Sequence, residues 1–324
     1  MSDLLNGIRK NRFIFVGRAG IDFFTDAGVT IETAERVSVD LGGSAANSAA
    51  GICKLGGQAA LVTCVSDDSI GSYCINRMQH YGVETEYVRK VAGEFRNSLA
   101  VYESVMDDHR NVIYRNGAAD FQMNVTDVEA VDYSDFGALI TAGTVFAAEP
   151  SRSAAFRAIE LGRAAGLPII FDVDYRPYSW PSADVASDVL TRAAEASDMI
   201  VGNDEEFGFV AGAYDKGLDC ARALSKACTI IYKMGGDGAI TFHEGQEIRT
   251  GIFPVDALKP VGAGDSFMAG LMTSLAAGHD MHTAILRGSA CASMTVSRPG
   301  CAPAMPDSSM LEAFLTDHPG PTQP

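Results

Sequence analysis

The run Val261-Gly262-Ala263-Gly264-Asp265-Ser266-Phe267 joins two features that together suit the handling of a phosphoryl group. Phe267, Met268, Leu271, Met272 and Leu275 recur at helical spacing, which predicts a helix that opens at the glycines and stops at Gly278. Small residues let the backbone approach a ligand closely, and the unpaired N–H groups of a helix first turn attract an anion. Asp265 falls in that first turn, where its carboxylate would repel a bound phosphate. It is either a favourable residue for a helix start or a general base that takes a proton from a hydroxyl attacking a phosphoryl group.

A second glycine turn, Leu41-Gly42-Gly43-Ser44-Ala45-Ala46-Asn47, enters a helix whose small residues, Ala45, Ala46, Ala49 and Ala50, suit close packing on a sheet. Asparagine is a mediocre helix former, so Asn47 is either a solvated position or has a hydrogen-bonding task. Asp22 ends the loop Gly17-Arg18-Ala19-Gly20-Ile21 and would pass, taken alone, for an ordinary turn residue.

The elements that must position these residues follow from periodicity. Arg12 to Val16 predicts a first strand, Glu35 to Val39 a half-polar one, and Gln58 to Val65 another. Leu99, Val101 and Val105 alternate with polar residues, Asp107 to Asn111 makes a turn, and Val112-Ile113-Tyr114 returns. This is a hairpin that, with residues near 21–39, would form a small sheet over the main one. From Gly137 onward strands and helices alternate, which predicts an α/β fold with a mostly parallel sheet and helices on both faces. Gln246 to Val255 reads as a strand leading into the glycine turn, and Pro319 to Pro324 as a loose tail. The expectation is one domain over residues 1–324, with lid segments at about 18–41 and 93–118. Ligands of such sheets bind beyond the strand C-termini. That selects Glu149, Asp172 to Arg176, Asn203 to Glu206, and Lys233 to Gly238.

The chain has 324 residues, 47% of them hydrophobic, enough for a substantial core. Its 25 Lys and Arg against 41 Asp and Glu give a net charge of −16, which disfavours nucleic acid and anionic membranes as partners. No apolar run reaches the ~18 residues of a membrane span, and no signal peptide opens the sequence. Seven scattered cysteines without a C-x-x-C pair read as reduced thiols of a cytoplasmic protein.

Two glycine turns more than 200 residues apart on one sheet are more specific than either alone. In their order and spacing these motifs resemble the ribokinase-like (PfkB) carbohydrate kinases over almost the whole chain. Gly42 and Gly43 with Asn47 look like that family's sugar-binding signature, and Asp22 would join them in clamping hydroxyls. Gly262, Ala263, Gly264 and Asp265 look like its anion hole and catalytic aspartate. Asn203 to Glu206 resembles its N-x-x-E motif, with Glu206 on a Mg²⁺ shell through water. Lys233 to Gly238 resembles its nucleotide-binding strand and turn, with Asn203, Lys233, Gly235 and Gly238 toward ATP. The resemblance thus implies ATP and Mg²⁺ as cofactors and a sugar as acceptor. Leu258-Lys259-Pro260-Val261 stands where many members carry Asp-Thr-Thr, a departure at the place of those members' monovalent-cation site, so such a cation stays open as a third cofactor beside ATP and Mg²⁺.

That departure, with Asp174-Tyr175-Arg176-Pro177 and Tyr114-Arg115 before Ala119-Asp120, resembles the subgroup whose substrates are keto-deoxy sugar acids. An anionic substrate needs a local cation on so acidic a chain, and Arg115, ending the hairpin, is the expected carboxylate reader. Arg176 is its rival, and pairing of Arg115 with Asp120 is the alternative role. Glu149 and Asp174 are expected beside the substrate. Other acceptors within the resemblance are 2-dehydro-3-deoxygluconate, fructose and ribose. A sugar- or nucleotide-binding regulator without turnover is the reading from another class, and Asp265 argues against it. No G-x-G-x-x-G follows the first strand, which disfavours a dehydrogenase. Exposed lid edges suggest a homodimer.

Overall fold

Phe13, Ile14, Phe15 and Val16 are all buried, so the first strand is apolar on both faces, as a central parallel strand must be. The computed structural model describes residues 6–103 and 111–323. In chain order its strands are β1 (Arg12–Val16), β2 (Gly20–Phe24), β3 (Ser38–Gly42), β4 (Gln58–Ser66), β5 (Val88–Val91), β6 (Leu99–Tyr102), β7 (Asn111–Tyr114), β8 (Ala138–Ala142), β9 (Ile169–Asp172), β10 (Met199–Asn203), β11 (Thr229–Lys233), β12 (Ala239–His243) and β13 (Gln246–Thr250). The main sheet runs β13-β12-β11-β10-β9-β8-β1-β4-β5. Its strands from β11 through β5 are parallel, and β12 and β13 join antiparallel at one edge.

The order reverses at β1. The chain first moves outward through β4 and β5, then returns to β8 and proceeds the other way. Such a switch point opens a crevice beyond the strand C-termini, where loops diverge to opposite faces. A separate four-stranded sheet, β3-β2-β6-β7, stands over that crevice.

One face of the main sheet packs the helices Ser44–Lys54, Ser69–His80, Ala263–Ala276 and Met281–Val296. The other packs Ser151–Ala164, Ala183–Glu195, Asp204–Val210 and Gly217–Leu224. The small residues of Ser44–Lys54 serve contact with a helix as well as with the sheet. A Cβ placed on Gly51 would lie 2.7 Å from Ala269 Cβ, so this helix lies hard against Ala263–Ala276. The two glycine turns thereby open side by side.

Three expectations change. The half-polar strand is Ser38–Gly42 rather than 35–39, because Leu41 is the buried residue that pairs with Ile21 of β2. The strand before the second glycine turn ends at Thr250, and residues 251–262 cross to the turn without regular structure. The C-terminal segment is docked rather than loose: Thr322 N donates to Ile252 O at 2.7 Å, and Ile252 N donates to Thr322 Oγ1 at 3.0 Å. The hairpin expected at 95–114 is present as β6 and β7, while its turn at 104–110 lies outside the described residues.

Candidate active site

A cavity of about 770 Å³ lies beyond the C-terminal ends of the main strands and beneath the small sheet. That is ample for a nucleotide with a small acceptor. The glycine turn forms its floor. Gly262 caps the helix Ala263–Ala276 in the left-handed region, φ 85°, with no side chain bonded to the first-turn N–H groups. A helix start left open in this way presents donors and a positive dipole end to the cavity.

Asp265 is the third residue of that helix, in its first turn. Asn47, brought across by the helix contact at Gly51, donates from Nδ2 to Asp265 Oδ2 at 3.1 Å. Burial pushes the Asp265 carboxyl up, the Asp174 carboxylate pushes the same way, and Asn47, Arg176 and Arg18 oppose them, leaving it at about 7. A carboxylate there is a far better proton acceptor than a surface aspartate and remains substantially ionised at neutral pH. Asn47 Oδ1 is buried without a partner, so its second hydrogen-bonding atom is free for a ligand.

Asp22 belongs to β2 of the small sheet, not to a loop, and is buried. Burial raises its carboxyl to about 8 against the pull of Arg18, and Asp265 and Asp40 add to the rise. It therefore stands largely protonated at pH 7, able both to donate to and to accept from a hydroxyl. Gly42 gives it room, since a Cβ there would fall 2.1 Å from Asp22 Oδ1. Gly43 has φ 96°, and its Cβ would meet Arg18 O at 2.4 Å, so neither the conformation nor the space admits a side chain.

Asp174 is held below the usual carboxylate range although burial alone would raise it. Arg176, Ser44, Arg18 and Thr144 outweigh that cost. Arg176 Nη2 lies 2.8 Å from Asp174 Oδ1, and Thr144 Oγ1 donates to Asp174 Oδ2 at 3.1 Å. At the far end, Lys233 closes β11 beside Asn203 of β10 and lies near the Phe267 ring. Gly235 and Gly238, both at positive φ, shape the turn that follows it.

These contents match known proteins. Residues 11–308 match the family described as pfkB family carbohydrate kinase. The chain belongs to the PfkB family of carbohydrate kinases. Its similarity extends to the 5-dehydro-2-deoxygluconokinase of Photobacterium profundum, 34% identical over 310 residues, 93% of this chain and 94% of that one. It extends also to the enzyme of the same name from Clostridium perfringens, 31% identical over 315 residues, 95% and 93% of the two chains. Among solved structures, the fructokinase of Vibrio cholerae with fructose, ADP and calcium bound shares the fold at a TM-score of 0.83, 22% identity, and 95% and 99% coverage. As a PfkB member the protein is an ATP-dependent sugar kinase. Among its described residues no helix is long and apolar enough to cross a membrane.

Most of the residues expected at the site converge. Asp22, Gly43, Asn47, Asp174, Arg176, Asn203, Glu206, Lys233, Gly235, Gly238 and the turn 262–265 all line the one cavity, and Gly42 backs Asp22. Two do not. Glu149 is exposed and accepts from Ser153 N at 3.2 Å, because a 3₁₀ turn, Gly143–Ala147, intervenes and carries it past the strand end. Arg115 is buried away from the cavity. It makes a two-pronged bond to Asp120, donates from Nη1 to Thr144 O at 2.9 Å, and covers the Phe121 ring. The lid-fixing alternative describes it.

The cation that does face the cavity from this side is Arg18, in the loop after β1. It is buried, donates from Nη1 to Ser98 Oγ at 3.2 Å, and leaves Nε without a partner. The rule that ligands bind beyond strand C-termini would have selected it. Asp172, at the end of β9, is also in the cavity, with its carboxyl raised chiefly by burial. The N-x-x-E spacing has a local structural task too: Asn203 Oδ1 accepts from Glu206 N and Glu206 Oε2 accepts from Asn203 N, both at 2.8 Å, a reciprocal helix cap.

Proposed function

We propose that this kinase transfers the γ-phosphoryl group of ATP to the primary hydroxyl of a keto-deoxy sugar acid. The acceptor is 5-dehydro-2-deoxygluconate, the substrate implied by the name its curated relatives carry, which would place the enzyme in inositol catabolism and in the cytoplasm. The observation that carries the acid specificity is Arg18: a buried guanidinium with an unpartnered Nε, facing the sugar end of the cavity on a chain of net charge −16.

In this reading Asp22, Gly43 and Asn47 bind the sugar hydroxyls, and Arg18 takes the carboxylate with the planar donors that suit it. Asp265 accepts the proton of the attacking hydroxyl. The N–H groups at Gly262 to Gly264 hold the transferred phosphate, and Lys233 draws the nucleotide phosphates to the same point. Asn203, Gly235 and Gly238 border the nucleotide.

The residues fit a hydrated Mg²⁺. Glu206 Oε2 is spent on the cap and Oε1 lies 3.7 Å from Arg176 Nη1, and Asp172 lines the same cavity, so both carboxylates would hold the ion through water. Among the described residues no three acidic, His or Cys side chains gather as a metal cage, which suits an ion ligated mainly by phosphates and water. Bound there, it would neutralise phosphate charge. At the carbonyl oxygens beside the glycine turn a monovalent cation would have to displace the Lys259 ammonium that already holds them.

ADP release with 5-dehydro-2-deoxygluconate, 2-dehydro-3-deoxygluconate, fructose and ribose tests this reading. The native enzyme should prefer the first acid. Arg18→Gln should lose preference for acids over neutral sugars by about 1.5–3 kcal/mol, the worth of a hydrogen bond to a charged group. Native preference for fructose or ribose would overturn the substrate, and an intact acid preference in the variant would overturn the role of Arg18.

Pairing of two copies through the lid completes the proposal. Val39 on edge strand β3, and Val112 and Tyr114 on edge strand β7, are exposed although apolar. Sedimentation equilibrium should give a dimer, and Val112→Glu with Tyr114→Glu a monomer. A native monomer at micromolar concentration removes this part.

A further inference from the structure

Lys259 is 1% exposed, and its ammonium lies inside the protein next to the glycine turn. Nζ donates to Val261 O at 2.7 Å and Thr295 O at 3.3 Å. The first carbonyl immediately precedes Gly262. The second belongs to the last turn of the helix Met281–Val296. The carboxylates that act on it, Asp40, Asp265 and Asp22, do so through space rather than as bonded partners.

A buried ammonium without a bonded counter-charge is costly, and lysine is among the residues least often fully buried. Hydrophobic side chains of the same volume would pack the position more cheaply. What the position gains is a positive charge between main-chain oxygens, behind a turn whose open N–H groups face an anion. Carbonyl oxygens converging on one point are the ligands by which proteins hold alkali cations. Here the chain fills that point itself.

The surrounding bonds show what the charge holds in place. Leu258 N and Lys259 N both donate to Val296 O, at 2.8 and 3.2 Å, so the segment before the turn is tied to the end of Met281–Val296. On the other side of the turn, Thr295 Oγ1 donates to Ser266 Oγ at 2.8 Å, and Ser266 Oγ donates to Cys291 O at 3.0 Å. The same helix end thus grips the turn before Gly262 and after Asp265, and Nζ is the link on the entering side.

We propose that Lys259 is a built-in cation of this kinase: its ammonium, seated between the carbonyls of Val261 and Thr295, positions the anion-hole turn and adds positive field to it, so that catalysis needs no added monovalent ion. Lys259 acts through the turn and touches no reacting atom, which makes it a positioning residue. A bound phosphate would add to the counter-charge that Asp40, Asp265 and Asp22 exert through space.

The test is ADP release with saturating Mg²⁺ and the best acceptor sugar, at constant ionic strength. For the native enzyme, replacing K⁺ by N-methylglucamine should leave kcat unchanged. Lys259→Ala, which removes the charge and opens a space, should lower kcat by about 10²-fold, as loss of oxyanion-hole support does, with the sugar KM little altered. K⁺ or NH₄⁺ should restore at least about tenfold of that loss, while tetramethylammonium, too large for the space, should not. Lys259→Met, which fills the space without charge, should be as slow and show no rescue. Thermal melting establishes that each variant is folded, and rescue by small cations separates a missing charge from general damage. A native enzyme stimulated by K⁺ overturns the proposal, whether or not the variants fold. So does a folded Lys259→Ala that keeps native kcat, or one that no small cation restores.

Discussion

Replacing Asp265 by Asn is expected to lower kcat by roughly 10²–10⁴, the usual worth of a positioned general base, while ATP binding persists. The substitution keeps size and hydrogen-bonding reach, and Asn47 can still bond the side-chain oxygen at this place. Only basicity goes. Stopped-flow turnover together with calorimetric ATP binding would check both halves, and near-native turnover would remove Asp265 from the chemistry. A pH profile gives a second reading of the same group. The base works ionised, so kcat/KM should climb with pH below about 7, where burial and Asp174 have lifted this carboxyl, and level off above it. Asp174→Asn takes away a like charge and frees Arg176, both of which favour the ionised form, so the acid limb should move to lower pH. An acid limb that stays near the ordinary aspartate range in the native enzyme would mean that ionisation of Asp265 does not govern the rate.

Gly264→Val is expected to abolish measurable turnover, a loss of at least about 10²–10³ for an obstructed anion hole, without unfolding the protein. The backbone at Gly264 has no positive φ, and a Cβ there would meet only Lys233 Nζ, at 3.5 Å. A larger side chain would therefore project into the space where phosphate and ammonium should meet. Gly262 is the contrast. Its φ of 85° admits valine only with strain of about 1–3 kcal/mol, and its Cβ would press on Cys301 Sγ at 3.2 Å. Gly262→Val should lose melting temperature as well as activity. Circular dichroism and ADP release on the two variants decide the matter. An active Gly264→Val, or one as destabilised as Gly262→Val, would leave the anion hole without support.

Features carried by near neighbours in sequence are legible from the residues alone. The apolar run at 13–16 dictates a buried parallel strand, the alternation after Gly137 dictates the α/β layers, and each glycine turn announces a helix start. Asn203 and Glu206 are three residues apart because a reciprocal helix cap needs that spacing. Ends of elements are less legible, since β3 and β13 stop where pairing with β2 and β12 stops, and pairing is not local.

Which polar groups meet is decided only in the tertiary structure. Asn47 bonds Asp265 across 218 positions because two small-residue helices cross at Gly51 and Ala269. Arg115 and Arg18 are both arginines beside lid strands; only Arg18 also follows a main-sheet strand, and what each one bonds is set by distant residues. Asp120, folded back by the 3₁₀ turn at Ala119–Gln122, captures one, while the end of β1 delivers the other to the cavity with a donor unspent. Lys259 has the same lesson in reverse. In sequence it is a charged residue before a proline; only packing against the end of Met281–Val296 strips it of water and sets its charge behind the glycine turn. Short-range sterics and hydrogen bonding write themselves into neighbouring residues, whereas desolvation and charge pairing depend on which distant segments exclude the water.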